Sequence, residues 1–253
     1  MRSLGFDDFP LGPDPESSFG FDLLDGQRMA SAFYSTMVSV SPYGMLDLDH
    51  VRRWGYGLDP DQAKKLEARA RSAGRDLTDR EREALYGSET EKGGRSVVNG
   101  REVPEGGCAE EATRRTTRGV ADADRLWSYV PERTVEIDKV VAKDERVRRA
   151  FRDWSRCVED KGFKRYENPT EAFLDKAWWK GREDGGSARS ERELGTAVAD
   201  VECNLKLNTA GVWWSVSKEK QREELRRNKS RYEAVRRDAD RVRAEIREAL
   251  GEK

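Results

Sequence analysis

Two of the three cysteines lie where they could form a disulfide between two helices. Cys157 follows Trp154 by about one helical turn, and Cys203 ends the segment 199–203. Both fall on the apolar stripe predicted for their helices, which suits either a disulfide or a pair of buried free thiols. We favour a Cys157–Cys203 disulfide, which would stabilise the fold by about 3–4 kcal/mol. It would also indicate an oxidising compartment.

The third cysteine, Cys108, could act as a nucleophile. It follows Gly106 and Gly107 at the predicted start of a helix, where unpaired backbone N–H groups favour a thiolate. Such a thiol needs a base, and His50 is the only histidine in the chain. Since nothing in the sequence brings His50 to Cys108, a structural or free thiol is the preferred interpretation.

Two tryptophan doublets, Trp178-Trp179 and Trp213-Trp214, could form an aromatic surface for a ligand. Adjacent side chains on a helix point roughly 100° apart, so neither doublet can lie wholly within one apolar stripe. At least one indole of each pair is expected at a helix edge or in a groove. We therefore predict an aromatic-lined groove between the helix of residues 170–179 and the long C-terminal helix; core positions for these tryptophans are the alternative.

The remaining polar clusters do not predict chemistry. The segment Asp47-Leu48-Asp49-His50 is interpreted as a helix cap or turn in preference to a metal or acid–base cluster. With one histidine and no Cys-x-x-Cys pair, no metal site is predicted. A phosphate loop, a nucleophile elbow and the metalloprotease helix motif are all absent from the sequence. We predict no catalytic residue and no cofactor.

Composition limits the classes of partner. The 253 residues include 48 basic and 49 acidic side chains, so the net charge is -1 and no strong field is available to attract nucleic acid. Charged residues make up 38% of the chain, and mean hydropathy is -0.93. This composition is typical of helices with one narrow buried stripe. No apolar run approaches the ~20 residues of a membrane-spanning helix.

The first 24 residues are predicted to form a flexible acidic leader rich in Gly, Pro and Phe. Three prolines preclude a helix through its middle, and the triplet Gly-Phe-Asp occurs twice, at 5–7 and 20–22. The alternative is a strap that docks on the body through its phenylalanines, which are Phe6, Phe9, Phe19 and Phe21.

Residues 25–253 are predicted to form a single helical domain, with a polar insertion at 88–107 that holds one small hairpin at Asn99-Gly100. Helix-start signals occur at Asp25, Asp59-Pro60, Thr78, Asp144, Asn168-Pro169 and Ser190. Heptad spacing from Leu225 to Ala249 predicts a long C-terminal helix over 212–250, which packs within the chain or against a second copy. The fold class is therefore mainly α: a helical bundle with a long C-terminal helix, one β-hairpin and a flexible leader.

Several of these segments together resemble a known group of sequences. The pattern consists of Trp154-x-x-Cys157 with Gly162-Phe163, then residues 196–203, then Asn208-x-x-Gly211-Val212-Trp213 and a long charged helix. It resembles a group of uncharacterised actinobacterial cell-envelope proteins, often lipoproteins, and residues 52–57 and 106–110 are similar to further parts of it. The resemblance covers about residues 25–250. It implies a helical, extracytoplasmic protein and brings no known activity.

Two features of that group are missing. The sequence contains no N-terminal signal or lipid-attachment cysteine, and Tyr34 and Ser35 stand where a cysteine of the first helix is expected. Cys108 is therefore expected to lack a disulfide partner, in keeping with the odd number of cysteines. Without a signal in the sequence, a cytoplasmic location is the alternative to the cell envelope.

These observations predict a non-enzymatic, extracytoplasmic binding or accessory protein of the bacterial cell envelope. Its partner would be an unknown protein or small ligand, recognised in the groove that Trp178, Trp179, Trp213 and Trp214 are expected to line. The alternative is a coiled-coil interaction protein that forms a homodimer through residues 212–250. An enzyme that depends on Cys108 is the least favoured interpretation.

Overall fold

The structure is a computed structural model that describes residues 1–7, 9, 44–57, 59–61, 77–87, 96–179 and 187–251. Over these residues the protein is mainly helical, with one two-stranded antiparallel hairpin, as predicted. The helices are α1 (Leu48–Trp54), α2 (Asp79–Tyr86), α3 (Gly107–Thr116), α4 (Ala123–Lys143), α5 (Glu145–Asp160), α6 (Pro169–Phe173), α7 (Lys176–Trp179), α8 (Glu191–Leu207), α9 (Thr209–Arg227) and α10 (Lys229–Leu250). The strands are β1 (Val97–Val98) and β2 (Arg101–Glu102), and a 3-10 turn spans Arg2–Leu4. None of the described helices is long and apolar enough to cross a membrane.

Side-chain caps fix where several helices begin. The Thr78 hydroxyl accepts a hydrogen bond from the Glu81 amide, and the Glu81 carboxylate accepts one from the Thr78 amide at 2.8 Å, which completes the predicted capping box of α2. Asp144 caps α5 by accepting from the Arg146 amide at 3.0 Å. Each such cap contributes about 1 kcal/mol. The helix predicted from Asp25 to Val38 lies outside the described residues.

The predicted hairpin is confirmed at Asn99-Gly100. Both turn residues have positive φ, 53° for Asn99 and 74° for Gly100, as a type I′ turn requires. The turn sets the register, in which Val97 pairs with Glu102 and Val98 with Arg101.

Two predicted helices are divided in the structure. The helix predicted from Asn168 ends at Phe173, and α7 begins after Asp175, whose carboxylate accepts a hydrogen bond from the Ala177 amide at 3.0 Å. The helix predicted over 212–250 is present as α9 and α10, with an interruption at Asn228. The Asp175 side chain competes with the helix backbone for hydrogen bonds. Asn228 makes no side-chain cap hydrogen bond, and its φ of -116° and ψ of 25° depart from helical values. A pattern of apolar residues reveals neither interruption.

The described residues form two compact units. The hairpin unit contains residues 1–7, 9, 77–87, 96–133 and 227–251; the disulfide unit contains residues 44–57, 59–61, 134–179 and 187–226. The contacts of the described residues cluster around two centres, and the single domain over 25–253 stays a prediction.

The hairpin unit has a small apolar core on one side of the hairpin. Its buried members are Leu4, Ala84, Val98 and Val103, and Met1, Phe6 and Cys108 pack against them. Within this unit α10 packs on the rest of the chain: Val242 is buried, and the Tyr232 ring lies 5.2 Å from the Tyr129 ring. This part of the predicted heptad stripe is therefore used in intramolecular packing.

The disulfide unit is built around α8. Its main cluster, here called the disulfide core, contains residues from α1, α5, α6, α7 and α8 and from the loops that follow α1 and α5: Val51, Tyr56, Trp154, Val158, Tyr166, Ala172, Phe173, Trp178, Ala197, Val201 and Cys203. A second core contains Val141, Val147, Trp213 and Val216. The apolar stripe of α5 serves both, because Val147 lies in the second core and Trp154 in the disulfide core.

Candidate functional site

The predicted disulfide is present. Cys157 of α5 and Cys203 of α8 are bonded across a sequence separation of 46, with their Cα atoms 5.8 Å apart. Cys203 is fully buried and Cys157 is partly buried against the disulfide core. The bond therefore joins the two helices at the centre of this unit.

A buried carboxylate lies one turn from the disulfide on the same helix. Asp200 is fully buried and accepts two hydrogen bonds, one from Trp154 Nε1 to Oδ1 at 3.0 Å and one from the Tyr56 hydroxyl to Oδ2 at 3.1 Å. Its two donors come from α5 and from the loop after α1. Asp200 thus links three parts of the chain that are distant in sequence.

Burial shifts the proton equilibria of this group. It raises the pKa of Asp200 to about 8, although the hydrogen bonds from Tyr56 and Trp154 act in the opposite direction. Burial, and then the nearby Asp200 carboxyl, raise the pKa of Tyr56 well above its ordinary value. Neither donor to Asp200 is a cation, so nothing in this pairing neutralises its charge. A carboxyl of this kind holds its proton near neutral pH, but its burial removes it from contact with a substrate.

A second buried carboxylate, Glu193, lies two turns earlier on α8. It is fully buried and accepts hydrogen bonds from the Tyr56 amide at 3.1 Å and the Arg189 amide at 2.7 Å. The predicted capping box at Ser190 is therefore half formed: Ser190 accepts from the Glu193 amide, while the Glu193 carboxylate caps other backbone groups. Gly55 allows this approach, since a Cβ atom there would lie 2.6 Å from Glu193 Oε1.

Several residues of the sequence pattern described above lie in the disulfide unit: Trp154, Cys157 and Cys203 make the contacts already given, and Phe163 packs against the disulfide core. The Phe163 ring lies close to Gly195, where a Cβ would be 2.7 Å from it. Asn204 Oδ1 accepts a hydrogen bond from the Ala210 amide where α9 begins. These residues therefore stabilise the fold of the disulfide unit.

The polar group around Asp200 was not predicted from the sequence. One signal could have indicated it: Asp200 stands between Ala199 and Val201 and precedes Cys203 by three positions, so it falls on the apolar stripe of the helix. A carboxylate at such a position needs partners. Its donors, Tyr56 and Trp154, are too distant in sequence for any local pattern to name them.

The first tryptophan doublet lies in the disulfide core. Trp178 is 2% exposed, and its Nε1 donates to Ala172 O at 2.8 Å. Trp179 is partly buried, and its Nε1 donates to Phe173 O at 2.9 Å. Both indoles therefore pack α7 against α6.

The second doublet is divided. Trp213 is 5% exposed and stacks on Phe151 in the second core, with ring centroids 6.0 Å apart. Trp214, on the next face of α9, is 56% exposed. The structure therefore places Trp178 and Trp179 in one core and Trp213 in the other, and of the four only Trp214 has most of its side chain exposed.

The structure gives Cys108 and His50 separate surroundings. Cys108 is partly buried at the start of α3, where the Met1 main-chain nitrogen lies 3.5 Å from its sulfur. His50 lies in α1, its Nε2 is 2.8 Å from Gly57 O, and its amide donates to Asp47 Oδ1, which caps the helix. The interpretation of 47–50 as a cap is confirmed.

Two shallow depressions lie on the surface. One, of about 500 Å³, belongs to the disulfide unit; its lining is Lys164, Asn168, Thr170, Glu171, Leu174, Asp175 and Lys176. The other, of about 290 Å³, lies in the hairpin unit between the start of α4 and α10, with Asp122, Arg125, Arg231 and Asp238 in its lining. Both linings contain acidic and basic side chains. Among the described residues, no group of His, Cys, Asp and Glu is arranged to hold a metal ion.

Comparison of the chain with protein-family models, with curated proteins and with solved structures gives no match. The functional interpretation therefore depends on the residues and their geometry.

Proposed function

We propose that this protein is a non-enzymatic, extracytoplasmic binding or accessory protein of the bacterial cell envelope. The observation that carries the proposal is the Cys157–Cys203 disulfide at the centre of the disulfide unit. Disulfides persist in oxidising compartments and are rare in the cytosol. The actinobacterial-like pattern, which includes both cysteines, supports the same location.

The non-enzymatic part of the proposal is supported by the use of the polar residues. Asp200 and Glu193 are fully buried and engaged in hydrogen bonds that join elements of the fold. A catalytic group has to touch its substrate, and a carboxyl enclosed in this way cannot do so without local unfolding. These residues are assigned to the framework.

The recognition surface is assigned to the exposed face of α9. Trp214 and Leu225 are 11 positions apart, which corresponds to about three helical turns and places them on one side of the helix. They are 56% and 49% exposed. Tryptophan dominates binding energies at interfaces because it buries a large rigid surface. In this arrangement Trp213 supports the face from the core, and Trp178 and Trp179 support α6 and α7.

The location is tested by the thiol state of the protein in its natural host. Cells are treated with an alkylating reagent without reductant, and the purified protein is analysed by intact mass and peptide mapping. The expected result is a Cys157–Cys203 bridge with Cys108 alkylated. Added protease is also expected to degrade the protein when only the outer layer of the cells is permeabilised. Three alkylated cysteines would contradict the proposed location.

The recognition surface is tested by site-specific photo-crosslinking in the same cells. A benzophenone amino acid replaces Trp214 in one variant and the exposed Ser215 in a matched control; the two side chains point roughly 100° apart. Trp214 is expected to give a discrete adduct at least five times more abundant than the control. Equal adducts at both positions, or none at Trp214, would exclude this face.

A second candidate function is a homodimer formed through the C-terminal helices. Leu225 favours it, because this leucine occupies a heptad position and is half exposed. In the same stripe, Tyr232 and Val242 pack within the chain. Light scattering of the wild-type protein and a Leu225→Asp variant tests this candidate. A dimer mass that falls to the monomer mass in the variant would favour the homodimer over binding of a different partner.

A further inference from the structure

The exposed face of α9 that bears Trp214 also carries positive charge. Around the helix axis, Leu225 lies about 20° from Trp214, Lys218 about 40° and Arg222 about 80°. All four side chains are exposed, and together they are called the α9 face. Trp214 and Leu225 are about 16 Å apart along the axis, so the two cations lie between two apolar residues.

The carboxylates of the same helix do not balance this charge. Glu219 is turned about 140° away from the tryptophan, and Arg146 Nη1 lies 2.9 Å from its carboxylate. The other two carboxylates of α9 lie on the opposite side of the helix or in the interior: Glu223 and Glu224, the latter 9% exposed. Within the described ranges of the chain, Lys218 and Arg222 belong to no ion pair. Their two positive charges are therefore available to an anionic partner.

The small size of the α9 face favours one kind of partner. A specific protein interface takes roughly 800 Å² from each partner, which is more than four side chains on one helix supply. Lipid headgroups are fluid and rearrange around a few side chains, so a membrane surface sets no such minimum. Tryptophan is enriched at the level of the headgroups, because its ring is apolar and its N–H is polar. Lysine and arginine lay their aliphatic stems on apolar surface and extend their charges to lipid phosphates.

We propose that the α9 face binds a membrane surface that contains anionic lipids. Trp214 and Leu225 enter the headgroup region, and the Lys218 ammonium and the Arg222 guanidinium contact lipid phosphates. This inference rests on the proposed function, because it names the partner of the recognition surface assigned to α9. The net charge of the chain is -1, so the attraction is local to this face and is screened by salt.

Flotation of the full oxidised chain with lipid vesicles tests the proposal. One set of vesicles contains equal parts of phosphatidylglycerol and phosphatidylcholine, and the other contains phosphatidylcholine alone. At low ionic strength the protein is expected to bind the anionic vesicles at least ten times more tightly than the neutral ones, and high salt should release it. Lys218→Gln together with Arg222→Gln should weaken binding to the anionic vesicles by about fivefold for each cation removed.

A control variant of equal charge separates the α9 face from a general effect of net charge. Arg148→Gln together with Arg149→Gln removes two exposed cations from α5 and is expected to bind as the wild type does. Insertion of the indole is measured with lipids whose acyl chains are brominated near the headgroup. The emission of Trp214, taken as the difference between the wild type and Trp214→Phe, is expected to be quenched in the bound protein.

Two results would overturn the proposal. One is flotation of the wild type with neither kind of vesicle, or equally with both. The other is equal binding by the α9 and α5 variants when the circular dichroism of both matches that of the wild type. If the α9 variant does not fold, the quenching decides, and unquenched Trp214 emission in bound protein would overturn the proposal.

The crosslinking in cells tests the proposed function separately. A discrete protein adduct at position 214 without any vesicle binding would overturn this inference and leave the proposed function in place. Vesicle binding that depends on Lys218 and Arg222 would support the inference even if the thiol analysis contradicted the extracytoplasmic location.

Discussion

The Tyr56 hydroxyl donates a hydrogen bond to Asp200 Oδ2 at 3.1 Å, although 144 positions separate the two residues. The same carboxyl accepts from Trp154 Nε1, one turn before Cys157. The disulfide and the carboxyl therefore hold the same pair of helices, one covalently and one through hydrogen bonds. Their contributions to stability differ in a way that pH can separate.

The first prediction concerns the pH dependence of stability. Burial raises the pKa of Asp200 from its ordinary 3.8 to about 8, so the folded protein binds this proton more tightly than the unfolded chain does. The contribution of the protonated carboxyl is complete below about pH 4 and is lost as the pH rises to about 8, by up to about 1.4 kcal/mol per pH unit. Urea unfolding at pH 5 to 8.5 should therefore show a steeper loss of stability for the wild type than for Asp200→Asn.

Asp144 provides the control, because its pKa is shifted in the opposite direction. The Arg146 side chain, which donates to it, lowers the pKa of Asp144 to about 2. Its contribution is present above about pH 4 and is lost on acidification. Asp144→Asn should alter only the acid limb. If Asp200→Asn and the wild type lose stability in parallel between pH 5 and 8.5, the assignment to Asp200 is wrong.

The second prediction concerns the disulfide. Replacing both Cys157 and Cys203 by serine removes a bridge across 46 positions and should lower the free energy of unfolding by about 3–4 kcal/mol. Guanidinium unfolding of oxidised wild type, reduced wild type and the double variant measures this loss. The reduced wild type should match the double variant closely. Cys108→Ser, at a cysteine without a disulfide, should remain within about 1 kcal/mol of the wild type.

The elements that the sequence predicted well are those fixed by neighbouring residues. The capping box at Thr78, the Asp144 cap and the Asn99-Gly100 turn each depend on groups within four positions of one another. The Cys157–Cys203 disulfide was also predicted, since both cysteines fall on predicted apolar stripes. Those positions suit two buried free thiols equally well, so the periodicity of the helices did not by itself decide between the two.

The features that sequence reasoning missed depend on contacts across long separations. The role of Glu193 as a cap for Tyr56 spans 137 positions, and no local pattern contains it. The tryptophan doublets show the same limit: the angle between neighbours predicted that each pair would be divided, and Trp213 and Trp214 are, but the sequence did not reveal which core each indole would enter. For that reason the proposed recognition surface is the exposed face of α9 that bears Trp214, in place of a groove lined by all four tryptophans.

The third prediction concerns Gly55. Its φ is 60° and its ψ is -133°, a conformation that side chains with a Cβ rarely adopt, and a Cβ there would lie 2.6 Å from Glu193 Oε1. Gly55→Ala should therefore destabilise the protein through both backbone strain and displacement of the buried carboxylate. Gly162→Ala is the matched control, because φ is 88° there and a Cβ would meet no atom within 4 Å.

The difference between these two glycine variants isolates the contact with Glu193. We expect Gly162→Ala to cost about 1–2 kcal/mol from backbone strain alone, and Gly55→Ala to cost measurably more in urea unfolding at pH 7. Glu193→Gln has a cost of its own, because its amide nitrogen cannot accept the hydrogen bond that a carboxylate oxygen accepts. Measured against Glu193→Gln alone, Gly55→Ala in that background should keep its excess cost, since the amide occupies the same volume as the carboxylate. Equal costs at the two glycines would show that α8 moves away from the loop without penalty.

The fourth prediction separates the two indoles of the second doublet. Trp213 is 5% exposed and stacks on Phe151, whereas Trp214 is 56% exposed. Trp213→Ala should lower the free energy of unfolding by about 3–5 kcal/mol, because it leaves a cavity in the second core. Trp214→Ala should change it by less than about 1 kcal/mol. Both values can be obtained from guanidinium unfolding followed by far-ultraviolet circular dichroism, which does not depend on tryptophan emission.

This pair of variants also decides how the crosslinking experiment is interpreted. If Trp214→Ala leaves stability unchanged, a side chain at position 214 can be replaced without unfolding the protein. The absence of an adduct from the photoreactive residue at that position then means that no partner contacts it. A cost at Trp214 comparable to that at Trp213 would place both indoles in the core. The exposed face of α9 would then have to be represented by Leu225 alone, which is too small a surface for specific recognition.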